Sequence, residues 1–591
     1  LDVNVPLNKI PLFDFTTLTY RFSGTYTWNR RPFAAADSIG NTIQNTGGHN
    51  YTANFNMTQL YNKIPYFKRV NNGTYKNKEN EKVKIKDPKA NTNKGTTTKP
   101  AESKIDSTKK GDNFKDIAAF IVKAIMMIKN VGITYQNNLG QALPNFKPNS
   151  QLLGMDMNNQ NAPGFLFTTG LYDGNIRETS ASNNWLAKIP LQTTPYIETN
   201  QQNLSYRSSI EPHGSLRIEV TGNLTKSKNL SEFMIFDPLT NKFDFNVSRN
   251  ETGNYNISTF TFFKSLSDKG KGINSSLFDE FLTERRNVAN ELGAANANSN
   301  GEIQYVDIKG TKQSYIDGYD NNQQDVLVGA FYKTYTGRSI SNYNTKNLFP
   351  KVPLPNFTLT WDGLGKLPAV KKHFRSITLR HGYRSTYNIA GYSNNLIFNH
   401  DGVTQDQRVP VANTSGSTNL TSNFASYYNL NSITLTESFS PLIKFDFQFQ
   451  KQGWNANLET KRDKTTSLNI TGPQIIETKG QEYIVGVGYM YPKLKFKKIS
   501  IQGKPLESNL TIKVDFSYRQ NLSVIRRVAD GISIPTGGTN IITLRSSADY
   551  QLTQNINLRI FYDWIRTTPQ TSSAFPTANN NGGFSLRINF Q

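Results

Sequence analysis

No cysteine occurs in the 591 residues, so neither a disulfide framework nor a thiolate metal site is available. No stretch approaches the roughly 20 apolar residues of a membrane-spanning helix, which excludes a helical membrane protein. Histidine is scarce, and His49, His213, His373, His381 and His400 show no metal-ligand spacing such as HExxH. GxSxG, Walker and dinucleotide motifs are missing as well, and nothing in the residues argues for an enzyme or a cofactor. Asp268 and Asp279 lack a flanking pocket signature and read as solvated loop acids. Gly486 and Gly488 lie inside a strand pattern, where they permit close packing rather than phosphate binding. No signal peptide stands at Leu1, and the first residues read as the interior of a longer chain.

What is present is alternation. Phe584, Leu586, Ile588 and Phe590 alternate with Ser585, Arg587 and Asn589. Ile443, Phe445, Phe447 and Phe449 alternate with Lys444, Asp446 and Gln448. The same holds for Leu510, Ile512, Val514, Phe516 and Tyr518 against Thr511, Lys513, Asp515 and Ser517. Successive side chains of a strand point to opposite faces, so each segment offers one greasy and one wet surface. Hydrophobic residues make up only 36% of the chain, low for a packed core of this size, while aromatics reach 12%. A transmembrane barrel reconciles the two, with a polar lumen and an apolar, aromatic-girdled exterior. The expected fold is therefore all-β: the antiparallel wall of a transmembrane barrel, with long loop insertions and a few short helices. A soluble sandwich fits less well, because the strands exceed the usual five or six residues and no second layer is identifiable to cover them. On this reading Lys444, Asp446, Gln448, Lys513, Asp515, Arg545, Arg559 and Arg587 face the lumen.

Strand patterns supply about 14 to 18 crossings between 16–29 and 583–591, several in short pieces: 214–225 and 229–236, 242–248 and 254–265, 427–438 and 442–450. Tight turns are expected at Ser440-Pro441, Gln452-Gly453 and Thr553–Asn555. Insertions fall at 30–48, 62–130, 139–200, 266–354 and 390–426. The one at 68–130 combines a Lys-rich, low-complexity stretch, disordered over 71–112, with a short amphipathic helix beginning near Asn113 and Asp116. That at 266–354 carries a helix over 277–292, opened by Ser276 with Asp279 and docked on the barrel or a partner. If the last strand ends on the periplasmic side, 472–480, 525–539 and 567–582 are extracellular and 551–555 is periplasmic. The net charge of +23 does not point to nucleic acid. Thirteen lysines and Arg69 stand against six acids between Lys68 and Lys115, and the other cations sit singly on polar strand faces.

Three central segments, "QQDVLVGAFYKTYTG" (323–337), "LFPKVPLPNFTLTWDGLGKLP" (348–368) and "FRSITLRHGYRSTYNIAGY" (374–392), resemble the C-terminal region of the SprA/Sov family, the giant translocon of the type 9 secretion system. "SPLIKFDFQF" (440–449), "ETKGQEYIVGVGYMY" (477–491) and the terminal "FSLRINFQ" are similar to that family too. The resemblance implies that residues 1–591 are the C-terminal portion of a very large outer-membrane β-barrel of Bacteroidetes. Such a barrel exports folded cargo with C-terminal signal domains, gliding adhesins among it, to the cell surface. The implied partners are that cargo, a FadL-like shuttle protein, a periplasmic plug protein and outer-membrane lipid, with no nucleic acid. Phe584, Leu586, Ile588 and Phe590 are then the candidate signal for the barrel-assembly machinery, or plain lipid contacts. Two other readings stand beside this one: a self-contained outer-membrane porin or nutrient transporter, and a soluble surface-structural β-protein.

Overall fold

The computed structural model describes the chain outside residues 33–38, 72–121, 190–191, 269–272, 307–309, 339–348, 397–407, 412–420, 451–452, 502–503, 554, 572–573 and 589–591. One antiparallel sheet of 17 strands dominates it. Pairing follows chain order through β1 (Asp2–Val5), β2 (Thr16–Asn29), β3 (Asn41–Asn56), β4 (Ile128–Phe146), β5 (Tyr196–His213) and β6 (Leu216–Asp237). The next position is shared end to end by β7 (Lys242–Ser258) and β10 (Asn356–Trp361), both lying between β6 and β11 (Phe374–Asn394). β11 hands the sheet to β14 (Tyr428–Leu430) and β15 (Ser432–Phe449). β16 (Trp454–Asn469), β17 (Gln474–Ile501), β18 (Lys504–Arg527), β19 (Ser533–Thr553), β20 (Ile556–Pro569) and β21 (Thr577–Ile588) follow in order. Two small hairpins, β8 (Glu302–Val306) with β9 (Lys312–Ile316) and β12 (Arg408–Val411) with β13 (Thr421–Phe424), stand off the wall. Among the described residues β1 and β21 each have a neighbour on one side only.

The shared position explains the largest insertion. The chain leaves the wall after Ser258 and returns at Asn356, pinned where it parts by Thr259 N to Ser385 O at 3.0 Å and Leu354 N to Ser258 O at 2.9 Å. Between these points the helices Ser276–Ala295 and Gln324–Thr336 form a cap. Ser275 opens the first by accepting from Phe278 N, and Gly337 closes the second in the left-handed region, where a side chain would be strained. Phe278, Phe281, Leu327 and Phe331 press onto Tyr387, Ile433, Leu468 and Ile475 of the wall. Each large side chain so buried contributes about 1.5–3 kcal/mol.

A second insertion, 147–195, covers the first half of the wall in the same way. Phe167, Ile176, Trp185 and Leu186 pack on Ile43, Leu143 and Tyr196. Here the backbones nearly touch: a Cβ on Gly47 would lie 2.1 Å from the Gly170 carbonyl oxygen. Both insertions sit over one end of the strands, the upper end. At the lower end Met57–Lys63 and the helical turn 122–126 pack through Tyr61, Val122 and Met126.

The all-β expectation matches this architecture, and the strands run longer than their patterns suggested. The pieces 214–225 and 229–236 are one strand, and 242–248 with 254–258 are another, while 259–265, expected as strand, has already left the wall. Ser440-Pro441 is not a turn but an irregularity inside β15, where the register shifts between Phe439 and Ile443. Proline there interrupts the ladder without reversing the chain. Gly453 and Asn555 do lie in tight turns. The helix expected over 277–292 spans Ser276–Ala295, capped one residue earlier than the sequence suggested, by Ser275. The Asn113 helix start and the stretch 71–112 lie, but for Asn71, outside the described residues.

Candidate functional site: an apolar belt and a charged face

The registers decide which side chains share a face. One row across five strands joins Phe445, Leu458, Val485, Phe516 and Leu544, and β20 continues it with Trp564. The row below joins Phe447, Ala456, Val487 and Val514. Along β17 the outward residues from Tyr483 to Tyr491 are apolar or aromatic, and Tyr483, Val485, Val487 and Tyr491 are 44–48% exposed. At about 3.3 Å per residue this stretch is roughly 25–30 Å long, the length a tilted strand needs to cross the hydrocarbon of a bilayer. Soluble monomers rarely leave contiguous apolar patches beyond a few hundred Å² uncovered. The belt crosses strand after strand with no protein layer over it among the described residues. It continues on β20 and β21, where Ile560, Leu558 and Ile556 stand opposite Phe584, Leu586 and Ile588.

The belt has an upper edge. Above Tyr483 and Tyr518 the same face turns polar in one step, to Arg462, Gln481, Gln520 and Asn540. Aromatic rings gather at this height on β11 and β15. Tyr383 packs against Phe260 and Phe263 with centroids 5.3 and 4.8 Å away, and His381 lies 5.3 Å from Phe439. His381 lies on the apolar face, its Nδ1 2.6 Å from the Leu442 carbonyl oxygen.

Above that edge the same face carries buried charge, because protein covers it. Glu477 is fully buried, with Arg526 at 2.7 Å and Lys464 at 3.1 Å. Asp268 of the insertion completes the cluster from the other side, 3.3 Å from Lys464, and accepts hydrogen bonds from Ser275 and Ser276 at the start of the cap helix. Asp268 is therefore not a solvated loop acid; its side chain is 2% exposed. Glu437, also buried, accepts from Tyr383 OH at 2.7 Å, from Thr261 Oγ1 and from Leu266 N. The other insertion repeats the device: buried Glu232 of β6 is paired with Arg177 of the insertion and with Arg249.

The opposite face is charged and open. A chain of ion pairs crosses five strands: Arg380 to Asp446, Lys444 to Glu459, Lys461 to Glu482, and Arg519 to Asp463, linked through Lys444–Asp446, Lys461–Glu459 and Arg519–Glu482 at 3.0–3.9 Å. Partly exposed surface pairs of this kind contribute about 0–1 kcal/mol each, so the ladder sets local charge balance more than stability. Lys444, Asp446, Gln448, Lys513, Asp515, Arg545, Arg559 and Arg587 all lie on this face by register. Gly486 and Gly488 lie here too, and a Cβ on Gly486 would meet Asn457 Oδ1 at 1.9 Å, so their role is close packing. Phe584, Leu586 and Ile588 are on the belt face at the free edge, and Phe590 is outside the described residues. No group of three or more metal-ligating side chains occurs among the described residues.

Sequence reasoning missed the buried clusters. The signal was available on β17, where the apolar face of 483–491 continues upward as Gln481, Lys479 and Glu477. Charge at outward positions marks the part of a strand that protein covers.

No family model matches the chain, and no curated protein does. Among solved structures, the ferric-catecholate import receptor Fiu from E. coli K12 in its closed form aligns at 8% identity over 97% of this chain and 63% of the receptor, with a TM-score of 0.26. OmpT, an outer membrane protein of Vibrio cholerae, aligns at 8% identity over 66% of this chain and 91% of its own, with a TM-score of 0.16. The chain thus spans less than two thirds of the receptor's length. Likenesses this slight carry no argument, and the fold rests on the strand registers.

Proposed function

We propose that this chain is part of the wall of a protein-conducting outer-membrane channel, the translocon of the type 9 secretion system. The observation that carries the membrane part of this reading is the uncovered belt, about one bilayer tall, on one face of a wall whose other face is charged and open. Lipid is the layer that such a belt lacks. The free edge of β21 adds to the reading. An unpaired strand edge in hydrocarbon leaves its outward-pointing N–H and C=O groups unsatisfied at several kcal/mol each, so in lipid that edge needs a pairing strand. The translocon part rests on the segments that resemble the SprA/Sov family. In mechanism, the charged face lines the passage, and its paired ions and hydrated Asn, Thr and Ser side chains let folded cargo slide without adhering. Cargo with C-terminal signal domains crosses from the periplasm to the surface, with a FadL-like shuttle at the wall and a plug protein at the periplasmic end.

The test is mass spectrometry of the protein purified from detergent-extracted outer membranes with whatever stays bound. Secreted cargo or a FadL-like partner retained on the chain is expected. A protein that travels alone and conducts only small solutes in a planar bilayer would make it a porin instead.

A further inference from the structure

Where the 259–355 insertion meets the wall, a notch of about 170 Å³ opens on the belt face. Its charged lining is Arg462, Lys464 and Lys479 against Asp268 and Asp463, with Ser265 and Leu266 of the insertion and Gln481 and Gln520 of the wall beside them. Two cations reach it from the wall. The Lys479 ammonium makes only long ion pairs, 3.8 Å to Asp268 and 3.9 Å to Glu477, because those carboxylates hold Lys464 and Arg526 more closely. Arg462 is exposed and points along the same face. Immediately below them begin Thr460 and Tyr483, then Leu458 and Val485 of the bare belt.

We infer that this notch binds the phosphate of a lipid headgroup. Lys479 and Arg462 donate to the phosphate oxygens, Ser265 and Gln481 bond the remaining headgroup atoms, and the acyl chains descend over Leu458 and Val485. A cationic notch at the upper rim of an apolar surface complements an amphiphile. A free phosphate would use the notch and leave the adjoining apolar rows with no role. Near a membrane surface each cation contributes about 1 kcal/mol toward an anionic lipid, or about fivefold in affinity.

The inference rests on the belt lying in lipid, and the experiment separates the two. The full chain, as extracted from the outer membrane, is placed in nanodiscs of phosphatidylcholine with a minor share of phosphatidylglycerol. The lipid that stays bound on release is read by native mass spectrometry. Wild type is expected to retain phosphatidylglycerol; R462Q/K479Q loses it at least tenfold, R462K/K479R keeps it, and K513Q, which removes a cation from the opposite face, changes nothing. Equal retention by wild type and R462Q/K479Q overturns the site. Displacement of the lipid by millimolar inorganic phosphate overturns its assignment to a lipid. Failure to enter the nanodiscs at all overturns the belt and not merely the notch.

Discussion

The upper and lower halves of one sheet face differ in everything except their geometry. On β17 the side chains of Glu477 and Val487 point the same way, five outward positions apart. Glu477 sits in a closed ion cluster beneath a helical cap, and Val487 stands bare. What covers a strand, more than the strand itself, sets which residues it tolerates. Protein supplies counter-charges, as Asp268 and Arg177 do, and so admits buried carboxylates and cations; lipid supplies none, and the lower half has no charged side chain on that face of β15 to β18 from the Tyr483–Tyr518 row down to Tyr491.

The largest expected effect is in the covered half. Glu477→Ala leaves Arg526 and Lys464 with one partner fewer in a buried site, at a cost of about 3–5 kcal/mol. It should appear as a lowered thermal midpoint in detergent and as early proteolysis within 259–355. Next comes the bare half. Phe447→Arg places a charge at mid-belt at about 2–4 kcal/mol and should abolish assembly, while its neighbour Gln448→Arg, on the charged face, assembles normally. Equal amounts of the two variants in the outer membrane would show the faces to be wrongly assigned.

Much of this division was legible in the sequence. The two-residue alternation marked the strands and put Phe447 and Gln448 on opposite faces, as the registers also do. The cap was not legible, for physical reasons. Gln324–Thr336 is buried on nearly every side, Val326 through Phe331 included, so it shows no polar stripe by which periodicity reveals a helix. Asp268 looked solvated because its partners, Lys464 and Lys479, lie about 200 residues away in sequence. Ser440-Pro441 looked like a turn because proline chemistry cannot distinguish a reversal from a bulge inside a strand.

Within the cap, pH offers a smaller test. Asp325 is buried at the start of its helix, with Gln323 Nε2 at 3.0 Å, and burial raises its pKa to about 6 from 3.8. The folded state therefore holds this proton more tightly than the unfolded one. The stability contributed by this one group is full below about pH 4, is lost as pH rises from there through about 6, and is gone above that, a difference of roughly 2–3 kcal/mol. Asp325→Asn should flatten that part of the profile, read as the thermal midpoint of the cap against pH. Smallest is Ser275→Ala, which removes the helix cap and should cost about 1 kcal/mol in the same assay.

The most direct test of the two-faced wall uses the absence of native cysteine. Single cysteines placed in turn at residues 511 to 517 of β18, in the full chain in lipid, would be read with a membrane-impermeant maleimide and, on a fluorescent label, with quenching by brominated lipid. Positions 512, 514 and 516 should be quenched by lipid and blocked to the maleimide, and 511, 513, 515 and 517 the reverse. Uniform maleimide access along the strand, with no two-residue alternation, would contradict a lipid-facing belt.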